Sequence, residues 1–284
     1  MRTSLCKTHA AVFLALMGLI GWLGGDAASA DDLTQLLADR TAIERVYYNH
    51  RTGTKLPFEQ TLPLEQLRRL MDREVMRENA LKNYFHVDIT TAQVESEVTR
   101  INQSTRAPEI LAEIKVALGS DAKRFARSFV RPIVVDRELR ERFENDNALH
   151  AHVRTDADKV RAELLHLRAG AQGLPAQLKS LEKVSRESLE EHTWEFAQAT
   201  PARHEAPPTK VTAFSDLPRQ LQTVLKTQLR NPGDVSAVIE MPSNFLVYLS
   251  KERTDTTLTV AAVNLPKLDY DIWLSQQPFS STKP

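Results

Sequence analysis

The stretch that most constrains this chain is Phe214–Arg253, FSDLPRQLQTVLKTQLRNPGDVSAVIEMPSNFLVYLSKER. Leu217, Leu221, Val224 and Leu225 recur at helical spacing and give one apolar face. Asn231-Pro232-Gly233 stops that helix, because proline cannot continue it and glycine tolerates the tight corner. Val235, Ala237 and Ile239 then alternate with Ser236, Val238 and Glu240, and Phe245–Leu249 is a second, more continuously apolar run. With a turn at Met241–Asn244 the two runs read as a hairpin. A helix, a corner and a hairpin in succession fit the α+β class.

The first thirty residues read as an export address. Arg2 and Lys7 precede a mostly apolar run, Ala10–Leu23, and Ala28-Ser29-Ala30 offers small residues for cleavage after Ala30. The run falls short of the roughly 20 residues that spanning needs, so no stable membrane span is expected after cleavage; an uncleaved anchor is the rival reading. The single cysteine, Cys6, leaves with this segment, so export brings no disulfide framework. Removing Arg2, Lys7 and Asp26 leaves 35 basic and 36 acidic residues, interspersed along the chain. That balance gives no reason to expect a nucleic-acid partner.

Residues 31–147 are helical in pattern. Thr41-Ala42-Ile43-Glu44 has the form of a capping box and predicts a short helix there. Residues 51–62 read as loop, and Pro63 opens a longer helix striped by Leu64, Leu67, Met71, Val75, Leu81 and Phe85, with Glu78 interrupting the stripe. Thr90 and Gln93 stand at capping-box spacing before Val94, Val98 and Ile101; Pro108–Leu118 follows, stopped by Gly119. Ser120–Asn147 is a long segment that Pro132 should kink or split.

From Ala148 the period changes. Leu149–Val153 reads as a short strand and Thr155 as the cap of a helix ending at Gly170. Leu174, Leu178 and Leu181 are spaced for a helix, Trp194-Glu195-Phe196 for a strand, and Pro201, Pro207 and Pro208 mark a loop. Thr257–Val263 predicts a last strand and Leu268–Gln276 a short terminal helix. The organisation is therefore a leader (1–30), a helical domain (31–147), a small α+β domain with an antiparallel sheet (148–253) and a strand-and-helix extension (254–284).

The corner Pro232-Gly233-Asp234-Val235-Ser236 and the run Phe245-Leu246-Val247-Tyr248-Leu249 resemble the closing half of a parvulin-type peptidyl-prolyl isomerase domain. Ala148-Leu149-His150-Ala151-His152-Val153, followed by a helix to Leu167-Arg168-Ala169-Gly170, is similar to its opening. The helices upstream, with DITTAQVESEVTRI, resemble the chaperone segment of SurA/PpiD/PrsA-type extracytoplasmic folding factors. The resemblance implies a periplasmic or otherwise extracytoplasmic holdase for unfolded or nascent exported polypeptides, without cofactor or metal. It places a catalytic histidine at His150 and substrate contacts at Phe245 and Leu225. Phe245 stands where the family has a second histidine, and the family's glycine-rich pocket turn has no counterpart between Lys183 and Phe214, so its catalytic positions look eroded. An active isomerase and a non-catalytic adaptor are the alternatives; oligomeric state is not legible.

Among single residues, His150 and His152 are two apart and would share a strand face. They lack a third ligand of suitable spacing, so metal is not expected. Isomerisation itself needs only a pocket that favours the twisted amide, against a barrier of about 18–20 kcal/mol.

Overall fold

A computed structural model describes residues 30–184, 188–196 and 212–277. Residues 1–29 of the expected export leader, and the expected loop with Pro201, Pro207 and Pro208, lie outside them. The described chain is α+β, helices first and a five-stranded sheet last.

The helical layer comprises α1 (Ala30–Asn49), the single turn α2 (Phe58–Thr61), α3 (Leu64–Asn83), α4 (Thr91–Ser104), α5 (Pro108–Ala117), α6 (Ala122–Phe125) and α7 (Arg131–Glu144). Its core gathers Ile43, Leu81, Ile114, Leu118, Val130, Leu139 and Phe143. Thr41 does not start a helix. α1 already runs through it, and the Thr41 hydroxyl donates to the Leu37 carbonyl one turn back. The capping box at Thr90 and Gln93 forms, with each residue satisfying the other's backbone N–H. Glu78, which breaks the α3 stripe, faces Arg131 of α7 in an ion pair (2.5 Å).

The long segment around Pro132 is neither straight nor broken. Residues Ala126–Val130 widen into a π-turn, with the Arg131 amide reaching back five residues to the Ala126 carbonyl. Proline at 132 cannot donate to the Ser128 carbonyl, and its ring crowds that carbonyl. The wider turn relieves the clash and lets the helix run on without a break into α7.

The sheet has the order β2-β1-β5-β4-β3, from β1 (Leu189–Glu195), β2 (Thr212–Ala213), β3 (Ile239–Glu240), β4 (Asn244–Arg253) and β5 (Thr257–Pro266). It is mixed rather than purely antiparallel, because β2 pairs with β1 in parallel. The hairpin turn falls at Met241–Asn244, where the Met241 amide donates to the Asn244 carbonyl. Only Ile239 and Glu240 of the expected first arm form a regular strand. Val235 makes an isolated bridge to Leu249, since the corner turns the chain too sharply for a longer ladder.

Side chains on β4 and β5 alternate between two cores. Phe245, Val247, Leu249, Ala261 and Val263 meet α8 (Ala151–Ala169) and α9 (Gly173–Leu181) on one face. Tyr248, Leu258, Val260 and Ala262 meet α10 (Arg219–Gln228) on the other, with Leu225 and Trp194. Both faces are thus covered, which explains why Phe245–Leu249 of β4 reads as a nearly continuous apolar run.

Residues 149–153 are not a strand. Asp146 accepts from the Ala148 and Leu149 amides (2.8 and 3.0 Å), the chain turns, and α8 begins at Ala151. The edge of β4 that a strand there could use is filled by β5, nine of whose ten residues pair along its length. Thr155 lies inside α8, its hydroxyl bonded to the Ala151 carbonyl. Residues 254–284, read as an extension, supply the central strand β5 and then α11 (Tyr270–Ser275), whose Trp273 and Leu274 are buried in the helical layer's core.

Lys267 joins the two layers. Its side chain is buried, its ammonium donates to the Glu144 carbonyl (2.7 Å) and to Glu240 (2.8 Å), and it lies 5.0 Å from the centroid of the Phe245 ring. A buried ammonium so fully bonded fixes the angle at which β5 leaves the sheet for α11.

Candidate functional site

The three residues expected to form an isomerase cleft are buried in three different places. His150 is 1% exposed and precedes α8. Its Nε2 donates to the Phe143 carbonyl (2.8 Å), and its ring meets the Phe143 ring edge-on at 5.1 Å. Its Nδ1 is buried without a partner among the described residues. Phe245 packs into the sheet face under α8, beneath Arg154 and Lys267. Leu225 packs into the opposite face. A sheet separates Phe245 from Leu225, so no peptide can touch both. His152 is exposed and pairs with Asp156 (3.2 Å), which leaves it on a different face from His150. No cluster of three or more potential metal ligands occurs among the described residues.

The corner that drew attention in the sequence is a structural clasp. Gly233 has φ +87°, a conformation that side chains with a Cβ rarely adopt. Its amide donates to the Ser250 carbonyl, and the Ser250 amide donates back to the Asp234 carbonyl (both 2.8 Å). Asp234 also accepts from the Arg230 and Asn231 amides at 2.8 Å. Three arginines spaced by seven on α8 reach this region. Arg168 pairs with Asp234, Arg161 donates to the Ser236 carbonyl (2.9 Å) and Arg154 approaches Glu240 at 3.7 Å. Seven residues are nearly two helical turns, so all three project from one face of α8.

Two buried carboxylates brace the helical layer. Asp39 on α1 accepts from Arg124 and from Ser128 (2.6 Å), the latter held in the π-turn, and from Gln35 (2.6 Å). Burial alone would raise its carboxyl, but these donors together hold it below the usual range. Glu97 on α4 is 4% exposed and is clamped between Arg100 (2.6 Å) and Arg137 (3.0 Å). The Arg100 hydrogen bond, with Arg137 adding to it against the cost of burial, lowers it to about 2. Both carboxylates already have their donors, so they act as braces rather than acids or bases.

What remains open to solvent is apolar, and it is unevenly distributed. The exposed large apolar side chains among the described residues are Tyr47, Leu56, Leu64, Tyr84, Val116, Ile133, Leu268 and Ile272. The first six belong to the helical layer, and the last two to the segment that docks on it. None lies between residues 148 and 266. Around α11 they border an aromatic cluster, in which Trp273 lies 4.9 Å from Phe143, 5.4 Å from Tyr84 and 5.8 Å from Phe85. No residue-level pattern marked these positions in advance, because an apolar stripe does not say which members stay uncovered.

No protein-family model, curated protein or solved structure matches this chain, and its functional reading rests on its own geometry. No helix among the described residues is long and apolar enough to cross a membrane.

Proposed function

We propose that this chain is an exported holdase that binds unfolded polypeptides through the exposed apolar side chains of its helical layer. The observation that carries the reading is that, among the described residues, the large exposed apolar side chains lie in that layer and in the segment of Leu268 and Ile272 that docks on it, while both faces of the sheet are covered. Scattered apolar side chains suit a client without fixed sequence, because each contributes burial without demanding a complementary shape. The basic start, apolar run and Ala28-Ser29-Ala30 support an extracytoplasmic setting. Prolyl isomerisation is the weaker reading: His150, Phe245 and Leu225 are buried apart, so a twisted amide would find no shared pocket.

The test is light scattering of a chemically unfolded exported protein diluted into buffer with and without this chain. Suppression is expected, and a variant carrying Tyr47→Ser, Tyr84→Ser, Val116→Ser and Ile272→Ser should lose most of it while keeping its circular dichroism spectrum. Unchanged aggregation with the natural chain, or full protection by the folded variant, overturns the reading.

A further inference from the structure

One end of the helical layer differs from the rest of the surface in both charge and shape. Arg40 of α1 pairs with Glu74 of α3 at 2.5 Å, so these antiparallel helices bring the end of α1 and the start of α3 together. The connector between them is fastened to the end of α1. Tyr48 meets the Phe58 ring edge-on at 5.4 Å and its hydroxyl donates to the Leu56 carbonyl, while Arg45 pairs with Glu59 (3.0 Å). Held in this way, the connector and the first turn of α3 present Leu56 and Leu64 at 63% and 51% exposure.

Around these leucines stand Arg51, Lys55, Arg68 and Arg69, all exposed and none with an ion-pair partner among the described residues. Residues 49–69 hold four basic and two acidic side chains, in a chain whose formal net charge is zero, and one of the two acids, Glu59, is paired with Arg45. The excess is therefore a local feature rather than a general basicity. We propose that this end, residues 49–69, is a contact for the surface of an anionic lipid bilayer. The guanidinium and ammonium groups would pair with headgroup phosphates, and Leu56 and Leu64 would enter the boundary between headgroups and acyl chains.

A lipid surface fits better than a peptide because the leucines project. Two open hollows, of about 360 and 220 Å³, are lined by residues of the α8–α9 turn and by residues of α9, β1, β4 and β5, and none of residues 49–69 lines either. A projecting apolar pair cannot enclose a strand or helix, but a fluid bilayer closes around it. The orientation also leaves the rest of the layer free. Tyr84 follows the far end of the twenty-residue α3, about 30 Å away at 1.5 Å per residue, so the exposed side chains around α11 would face away from the membrane.

The experiment is flotation of the full chain with vesicles of phosphatidylcholine alone or mixed with phosphatidylglycerol, with no client present, so it stands or falls apart from the holdase reading. Binding to the mixed vesicles is expected at about 0.1 M salt and release at about 1 M, where screening shortens from about 10 to 3 Å. Arg68→Gln with Arg69→Gln should weaken binding about 30-fold, at about fivefold for each cation near the surface. Leu56→Ser with Leu64→Ser should weaken it while leaving the salt dependence in place. Lys179→Gln with Lys183→Gln, exposed cations elsewhere, should leave it unchanged. Equal binding to neutral vesicles, no vesicle binding at low salt, capture of an unfolded polypeptide but not vesicles by this end, or insensitivity to both tip variants would overturn the proposal.

Discussion

Trp273→Ala is the sharpest test of how the two layers are joined. The indole is 3% exposed although it lies near the end of the described chain, and it touches four aromatic rings, two from the C-terminal flank of α3, one from α7 and one from α11 itself. Truncating a buried tryptophan to alanine costs about 3–5 kcal/mol, and aromatic pairs add about 0.5–1.5 kcal/mol each to the burial term. An opposing effect limits the loss. α11 has six residues and one side-chain cap, from Asp269 to the Ile272 amide at 2.8 Å, so it can detach before the layer unfolds. The expected loss is therefore near the lower limit, about 3 kcal/mol. Urea denaturation followed in the far ultraviolet reads the helices. Trp194, the other tryptophan among the described residues, reads the sheet by fluorescence in the same variant. Ile272→Ala on the same helix, 54% exposed, should stay within about 0.5 kcal/mol. A loss below about 1 kcal/mol for Trp273→Ala would show α11 to be a detachable appendage and refute its place in the core.

Acid should act on Glu97 with a definite sign. Its folded carboxyl lies at about 2 against an ordinary 4.5, so its contribution is complete above 4.5 and fades as pH falls through about 2. Glu97→Gln should then cost about 1–2 kcal/mol at neutral pH, limited because both arginines are more than half exposed, and the gap to the natural chain in urea midpoints should narrow toward pH 2. A gap that stays constant with pH would show that the charge contributes nothing. Gly233→Ala should destabilise by about 1–2 kcal/mol, because φ is +87° and a Cβ there would sit 3.2 Å from the Gln177 amide oxygen. An unchanged thermal midpoint would mean that the corner relaxes freely.

Local signals made much of this architecture legible. The Thr90–Gln93 box, the stop at Gly119, the Pro-Gly corner and the alternation in β5 each act within a few residues, and each element forms where its pattern stands. The failures are places where a distant partner decides. Leu149–Val153 alternates well enough for a strand, but β5, more than a hundred residues later, takes the open edge of β4. Thr41-x-x-Glu44 has the chemistry of a cap, yet sits inside a helix that has already begun. The candidate surface was legible only in composition, as aromatic and aliphatic residues on helices. Which of them are covered depends on packing such as the seating of α11. The braces were hidden for the same reason: Asp39 and Arg124 are 85 positions apart, and Glu97 and Arg137 are 40 apart.

The position of β5 has a consequence for how the chain is made. It is the middle strand of the sheet, flanked by β1 and β4, yet among the described strands it comes last in the chain. As the chain emerges from its N-terminus, the helices α1 to α7 can close over mostly local contacts. β1 and β4, by contrast, must wait with unpaired edges and bare apolar faces until residues 257–266 arrive between them. During that interval the chain presents the same kind of sticky surface that it is proposed to shield in others. On the proposed holdase reading, a nascent copy would be a client for a finished one.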